Sequence, residues 1–276
     1  MDFLELVSPQ FCDFAEGSML DNRVITNASN REILKQTAHR PWPLPSRPWI
    51  MYQRWHDLLF AHWALPVDQV HPLVPRELEL DTFEGKAWVG VIPFWMSHVR
   101  FRGLPPIPTA STFPELNVRT YVRARKEPDK PGVYFFSLDA ASLLAVMGAR
   151  VGARLPYFWA DMRARVSEAD IEYLSMRKRQ PTAQLVARYR PTGGVSIQKS
   201  NLEQFVTERY CLYTARHGRV QRIQIHHLPW PLQPAEAEFD VNTTAEAQGL
   251  KLPPDKPVLQ FAKFLEVFIF APETLD

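Results

Sequence analysis

The sequence predicts an α+β domain built on one large, curved, mostly antiparallel sheet or partial barrel, with an internal pocket and a few helices. Prolines outnumber glycines 25 to 11. They recur at Pro41, Pro43, Pro45 and Pro48, then Pro66, Pro72 and Pro75, then Pro105, Pro106, Pro108 and Pro114. That spacing breaks long helices and favours short strands joined by stiff turns. Apolar and aromatic runs of strand length fill the gaps between those turns. One run, residues 113–122, is two-faced in an uncommon way. Read with period two, it sets Glu115, Asn117, Arg119 and Tyr121 on one face and Leu116, Val118, Thr120 and Val122 on the other.

The elements follow in order. Residues 1–38 are polar and weakly patterned, with a helix-like piece near 31–38, and read as a peripheral or partly disordered extension. A single domain is expected over 39–276. Strands are predicted at 49–60, 86–95, 117–125 and 132–138, the last two joined by a turn across Glu127-Pro-Asp-Lys-Pro131. Residues 140–151, rich in Ala and Leu and free of proline, are the best helix, with Asp139 as its cap. Further strands are expected at 158–166, 171–177, 182–189, 218–226 and 258–270. A short helix at 201–207 would be capped by Ser200 or Asn201, with Gln204 completing the cap.

Composition narrows the function. A net charge of +2 with scattered arginines carries no nucleic-acid or membrane footprint. No apolar run reaches 18 residues and the first residues lack a signal-peptide pattern, so a cytoplasmic protein is expected. The two cysteines, Cys12 and Cys211, are too few for a common metal site, and Cys211 lies in an apolar-aromatic run that reads as core. His56 and His62 would need a third ligand such as Glu115 or Asp57 to hold a metal, so core or ligand-facing histidines are expected instead. Ser137 and Ser142 lack the strained turn of a serine hydrolase, and no glycine-rich phosphate loop or dinucleotide fingerprint occurs. No metal or cofactor is expected.

If the polar face of 113–122 points inward it is a pocket wall, because a buried charge must find a partner; otherwise it is an exposed strand face with Glu115 and Arg119 as a weak surface pair. Glu115 and Arg119 stand about 13 Å apart along a strand, so Asn117 is expected to bridge them. Arg150 and Arg154 lie four apart, so on a helical turn they would share a face and could clamp one anion, or else extend to solvent.

Six phrases carry a family resemblance: Trp55-His-Asp-Leu-Leu-Phe-Ala-His-Trp63, Ala87-Trp-Val-Gly-Val-Ile-Pro-Phe94, residues 113–122, residues 132–139, Leu155-Pro-Tyr157 and Glu208-Arg-Tyr-Cys-Leu-Tyr213. In order and spacing over about residues 38–240, they resemble the YqjF-like family, domain of unknown function 2071, which is similar in fold to acetoacetate decarboxylase. The resemblance implies that fold and an internal pocket, with no reaction attached. The decarboxylase forms a Schiff base on a buried lysine. The similar stretch here, at 150–156, is followed by Tyr157 and not by lysine. Glu115 resembles a glutamate lining the decarboxylase pocket. The expected ligand is a small organic acid or carbonyl compound, held by Asn117, Arg119, Tyr121, Arg150, Arg154, Tyr157 and His56. The alternative is a lysine-independent enzyme of lyase, isomerase or hydrolase type, with Glu115 as acid or base and the arginines as clamps. A homo-oligomer is compatible with either.

Overall fold

The computed structural model describes residues 27–107, 110–142, 155–216 and 218–275. Thirteen strands run through them: β1 (Trp49–Leu65), β2 (Leu78–Leu80), β3 (Ala87–Phe101), β4 (Phe113–Ala124), β5 (Glu127–Ala140), β6 (Tyr157–Val166), β7 (Ile171–Arg177), β8 (Gln184–Pro191), β9 (Cys211–Arg216), β10 (Arg219–His226), β11 (Leu232–Asn242), β12 (Val258–Phe270) and β13 (Glu273–Leu275). Three helices accompany them, α1 (Asn27–Lys35), α2 (Val67–Val70) and α3 (Asn201–Thr207). The strands form one sheet in the order β13-β10-β9-β5-β6-β7-β8-β11-β12-β1-β3-β4-β2, antiparallel except at β5–β6 and β5–β9. Extra pairings of β10 with β12 and of β5 with β4 close it. The wall β12-β1-β3-β4-β5 is thereby shared by two rings, one completed by β9 and β10 and the other by β6, β7, β8 and β11.

Alternation builds this wall. Leu116, Val118 and Val122 of β4 pack with Met162, Tyr173, Leu185 and Tyr189 from β6 to β8. Leu58 and Phe60 of β1 join Ile92, Phe94, Trp230 and Val267 in a second cluster. Each such side chain contributes about 1.5–3 kcal/mol on burial. The long strand β1 pairs with β12 from Trp49↔Phe270 to His62↔Val258, and its register with β3 shifts between Tyr52 and Arg54 and again between His56 and Ala61. Beside those shifts, Asp57 and His98 hold φ of 51° and 55°, a left-handed backbone that non-glycine residues adopt at a cost.

Several expectations are corrected. Ala140 ends β5 and does not open a helix; residues 143–151 of the expected helix lie outside the described residues. Asp139 is a strand residue and caps nothing, because it faces Arg177 across the interior. The turn between β4 and β5 falls at Arg125-Lys126, and Glu127-Pro-Asp-Lys-Pro131 forms an irregular stretch of β5 where the pairing jumps from Ala124↔Glu127 to Val122↔Gly132. The first helix sits at Asn27–Lys35 and ends before 38; its Ile33 packs on Tyr52 and Phe268. In α3 the expected cap is Ser200, but Glu203 and not Gln204 completes the capping box. Strands β2, β9, β11 and β13 were not anticipated. Residues 1–26, with Cys12, lie outside the described residues, and Cys211 is a free, buried thiol.

Candidate functional site

Both faces of β4 are buried. Glu115, Asn117, Arg119 and Tyr121 are 4%, 6%, 8% and 0% exposed, so this polar row is enclosed and not a solvated strand face. It is positioned by β3 through Phe94↔Glu115, Ile92↔Asn117 and Gly90↔Arg119. Tyr157, at the start of β6, donates its phenol proton to Glu115 Oε2 at 2.8 Å. From β7, the Tyr173 hydroxyl reaches the carbonyls of Glu115 at 2.7 Å and Phe94 at 3.0 Å, which pins the backbone on which Glu115 stands. Burial pushes the Glu115 carboxyl up to about 8; the Tyr157 hydrogen bond pulls it back and the charge of Asp139 adds to the rise. Glu115 therefore holds its proton at neutral pH. Burial and Glu115 together keep the Tyr157 phenol neutral.

Four residues along, a second knot forms. Tyr121 has one proton and donates it to the Val206 carbonyl of α3 at 2.7 Å. Its oxygen therefore accepts from His62 Nε2 at 2.6 Å. Burial, and then Arg119, hold His62 well below its ordinary range, so the ring is neutral and Nδ1 is a bare acceptor. Gly90 makes this possible, because a Cβ there would meet His62 Nε2 at 2.8 Å. Arg119 donates to the Val206 carbonyl at 3.1 Å and to Tyr121 at 3.4 Å, with its guanidinium 5.5 Å from the Phe60 ring centre. Among the described residues no carboxylate pairs with it, and Asn117 Oδ1, Arg119 Nε and His62 Nδ1 are buried without hydrogen-bond partners. The bridge expected from Glu115 through Asn117 to Arg119 is not formed. Along a strand the two charges are too far apart, and each turns to a nearer partner from β6 or α3.

On the opposite face of the wall, Asp139 (paired in register with Leu116) meets Arg177 Nε at 2.7 Å, each side chain 1% exposed. Arg177 also donates to Gln180 and lies 4.0 Å from the centre of the Phe158 ring. Burial raises Asp139 to about 6, while Arg177 and Ser175 draw it down.

His56 does not join the Glu115 row. It pairs with Trp95, which pairs with Pro114, so it lies on the other face, stacked on the Trp95 ring at 3.8 Å. Arg150 and Arg154 lie outside the described residues. Two clefts of about 640 and 710 Å³ open elsewhere, one beside Pro66, Asp68, His71 and Lys86 and the other beside His39, Lys199, Glu208 and Tyr210. Neither is the expected internal pocket. All nine lysines are exposed or half-buried. Among the described residues no three His, Cys, Asp or Glu side chains could hold a metal ion, and no helix is long and apolar enough to cross a membrane. Sequence reasoning missed the role of His62, although Leu58, Phe60 and His62 alternate onto one face, and it missed Tyr173 and Arg177, whose partners lie far along the chain.

A family profile described as an uncharacterised conserved protein, DUF2071, matches residues 52–266. The uncharacterised protein YqjF of Bacillus subtilis (strain 168) is 47% identical over 228 residues, covering 82% of this chain and 93% of its own. Among solved structures, acetoacetate decarboxylase from Legionella pneumophila superposes with a TM-score of 0.57 at 12% identity, over 87% of this chain and 93% of that one. The enduracididine biosynthesis enzyme MppR, complexed with pyruvate, gives 0.56 at 10%, over 85% and 93%. At such identities the likeness is one of fold.

Proposed function

Because the chain belongs to the DUF2071 family of uncharacterised conserved proteins and has the acetoacetate decarboxylase-like fold, we propose that it binds a small organic acid or carbonyl compound in an internal pocket on the β4 wall, without Schiff-base chemistry. The observation that carries this reading is the enclosed row Glu115–Asn117–Arg119, whose guanidinium has no carboxylate among the described residues and in which Asn117 Oδ1 and Arg119 Nε are left unpartnered. An unpaired buried cation is costly, and a ligand carboxylate would offset that cost. Tyr121 and Tyr157 supply hydroxyls at the two ends of the row. Arg150 and Arg154 remain candidates for the same ligand. That MppR is complexed with pyruvate supports the choice of a small oxo acid as first probe. A Schiff-base lysine is made nucleophilic at neutral pH by burial or by a neighbouring cation; none of the nine lysines is buried, and the stretch that resembles the decarboxylase's leads to Tyr157.

Thermal denaturation with pyruvate, acetoacetate and 3-hydroxybutyrate tests the reading. At least one should raise the midpoint in a saturable way, and Arg119→Ala should abolish the rise. No shift from any small acid would sink it. Borohydride treatment with acetoacetate should leave every lysine unmodified; a lysine adduct would reverse the chemistry.

A second reading, an enzyme with Glu115 as proton donor, is favoured by one observation: Glu115 is raised to about 8 beside a neutral phenol, the range in which a general acid works at neutral pH. Turnover of any oxo acid that falls as pH rises through about 8, and is lost in Glu115→Gln, would establish it. Binding without turnover would leave the first reading.

A further inference from the structure

A second constellation lies on the opposite face from Glu115, where β1 and β3 lose register. Ser97 Oγ stands 2.8 Å from His56 Nε2 and 2.9 Å from His98 Nδ1. The proton order can be worked out. Arg54 Nη1 can only donate, so His98 Nε2, 3.4 Å away, is an acceptor. Burial and Arg54 hold both histidines below their ordinary range, His56 at about 3, so both rings are neutral at physiological pH. His98 Nδ1 therefore carries its hydrogen and donates to Ser97, and in the tautomer with the His56 hydrogen on Nδ1, Ser97 donates to the bare Nε2 of His56. Direction runs one way, from Arg54 through His98 and Ser97 to His56.

The backbone is distorted in the places this arrangement requires. Neighbouring strand residues point to opposite faces, yet His98 reaches the hydroxyl of Ser97, the residue before it. Its φ of 55° is the departure from strand geometry that accompanies this. Asp57, at φ 51°, likewise brings its carboxylate to Trp95 Nε1 at 2.9 Å, and Lys263 pairs with it at 2.6 Å. That fixes the indole on which His56 stacks. One left-handed non-glycine residue follows Ser97 and the other follows His56, and such strain gathers where a site is held in shape.

We propose that Ser97 is a nucleophile, with His56 as its proton acceptor and His98 as a donor to its oxygen, acting on an activated acyl compound such as a thioester or aryl ester. Ser97 Oγ forms a bond to the acyl carbon while its proton passes to His56 Nε2. The bond to the leaving thiolate or phenolate breaks, and that group takes the proton from His56. Water then cleaves the acyl-serine by the same route. An imidazole held this far down is a weak base, which restricts the acylation to compounds with good leaving groups and makes the water step the slow one. Phe264, 37% exposed and 5.2 Å from the His56 ring, offers an apolar rim for the acyl chain.

The full chain is treated with a fluorophosphonate probe, and the labelled peptide is located by mass spectrometry. A single label on Ser97 is expected, with a burst of about one nitrophenolate per chain from p-nitrophenyl acetate. His56→Gln should slow labelling at least about tenfold, and Ser97→Ala should remove it, while thermal melts confirm that both variants fold. An unlabelled Ser97, or labelling at the wild-type rate in folded His56→Gln, overturns the proposal. Should His56→Gln fail to fold, the wild-type label and burst decide alone.

Discussion

Two polar clusters lie back to back on the shared wall, and they are built differently. Asp139 and Arg177 meet on one face, each 1% exposed, as an ion pair with further bonds to Ser175 and Gln180, and only Arg177 Nη2 of the pair lacks a hydrogen-bond partner. Glu115 and Arg119 are nearly as buried on the other face but do not meet. One is neutralised by its proton and the other is held by a carbonyl and a phenol, with three polar atoms beside them unpartnered. Burial is common to both clusters. Matching of charge is not, and the unmatched face is the one that a ligand could complete.

Breaking the ion pair should have the largest effect. Arg177→Ala leaves Asp139 buried and alone, and urea denaturation should show a loss of roughly 3–5 kcal/mol. A loss below about 1 kcal/mol would put the pair on a par with an exposed one. Next comes the protonation of Glu115. Its folded carboxyl is raised, so its stabilising proton is present in full below the unfolded value and lost as pH rises through about 8. Asp139, raised to about 6, makes its part of the same decline at lower pH. The neutral histidines add a rise in stability at about pH 6.5–7 to wild type and Glu115→Gln alike, so the test is the difference. Between about pH 6.5 and 8 the wild-type protein should lose up to about 1.4 kcal/mol per pH unit relative to Glu115→Gln. Parallel wild-type and Glu115→Gln curves across this window would mean that Glu115 is ionised in the fold. The smallest effect is expected at Arg119. Removing it strands no carboxylate, and Tyr121 still satisfies the Val206 carbonyl, so Arg119→Ala should cost only about 1 kcal/mol. A loss as large as that of Arg177→Ala would make the two clusters equivalent and remove the reason to seek a ligand on one of them.

The row Glu115, Asn117, Arg119, Tyr121 was legible because alternation assigns faces without knowledge of the partner strand. Reach was not legible: the partners of Glu115 come from β6 and β7, and the Val206 carbonyl that holds Arg119 comes from α3. Asp139 was misread because the alanines after it look helical, while its true partner sits 38 residues away. The alternation of β11, with Glu236, Glu238 and Asp240 against Ala235, Ala237 and Phe239, was present in the sequence and was overlooked. Asp and His are among the non-glycine residues that tolerate a left-handed backbone, but inside an apolar strand run neither Asp57 nor His98 is marked as such; the loss of register between β1 and β3 reveals them.

The pairing of Trp49 with Phe270 has a consequence for how the chain comes to fold. During synthesis β1 is made first among the strands and waits, with one long edge unpaired, until the final long strand has left the ribosome. Contacts so distant in sequence are slow to close, and open edges invite wrong partners meanwhile. A chain stopped before residue 258 should therefore lack a closed wall and aggregate, however well the strands before it are made.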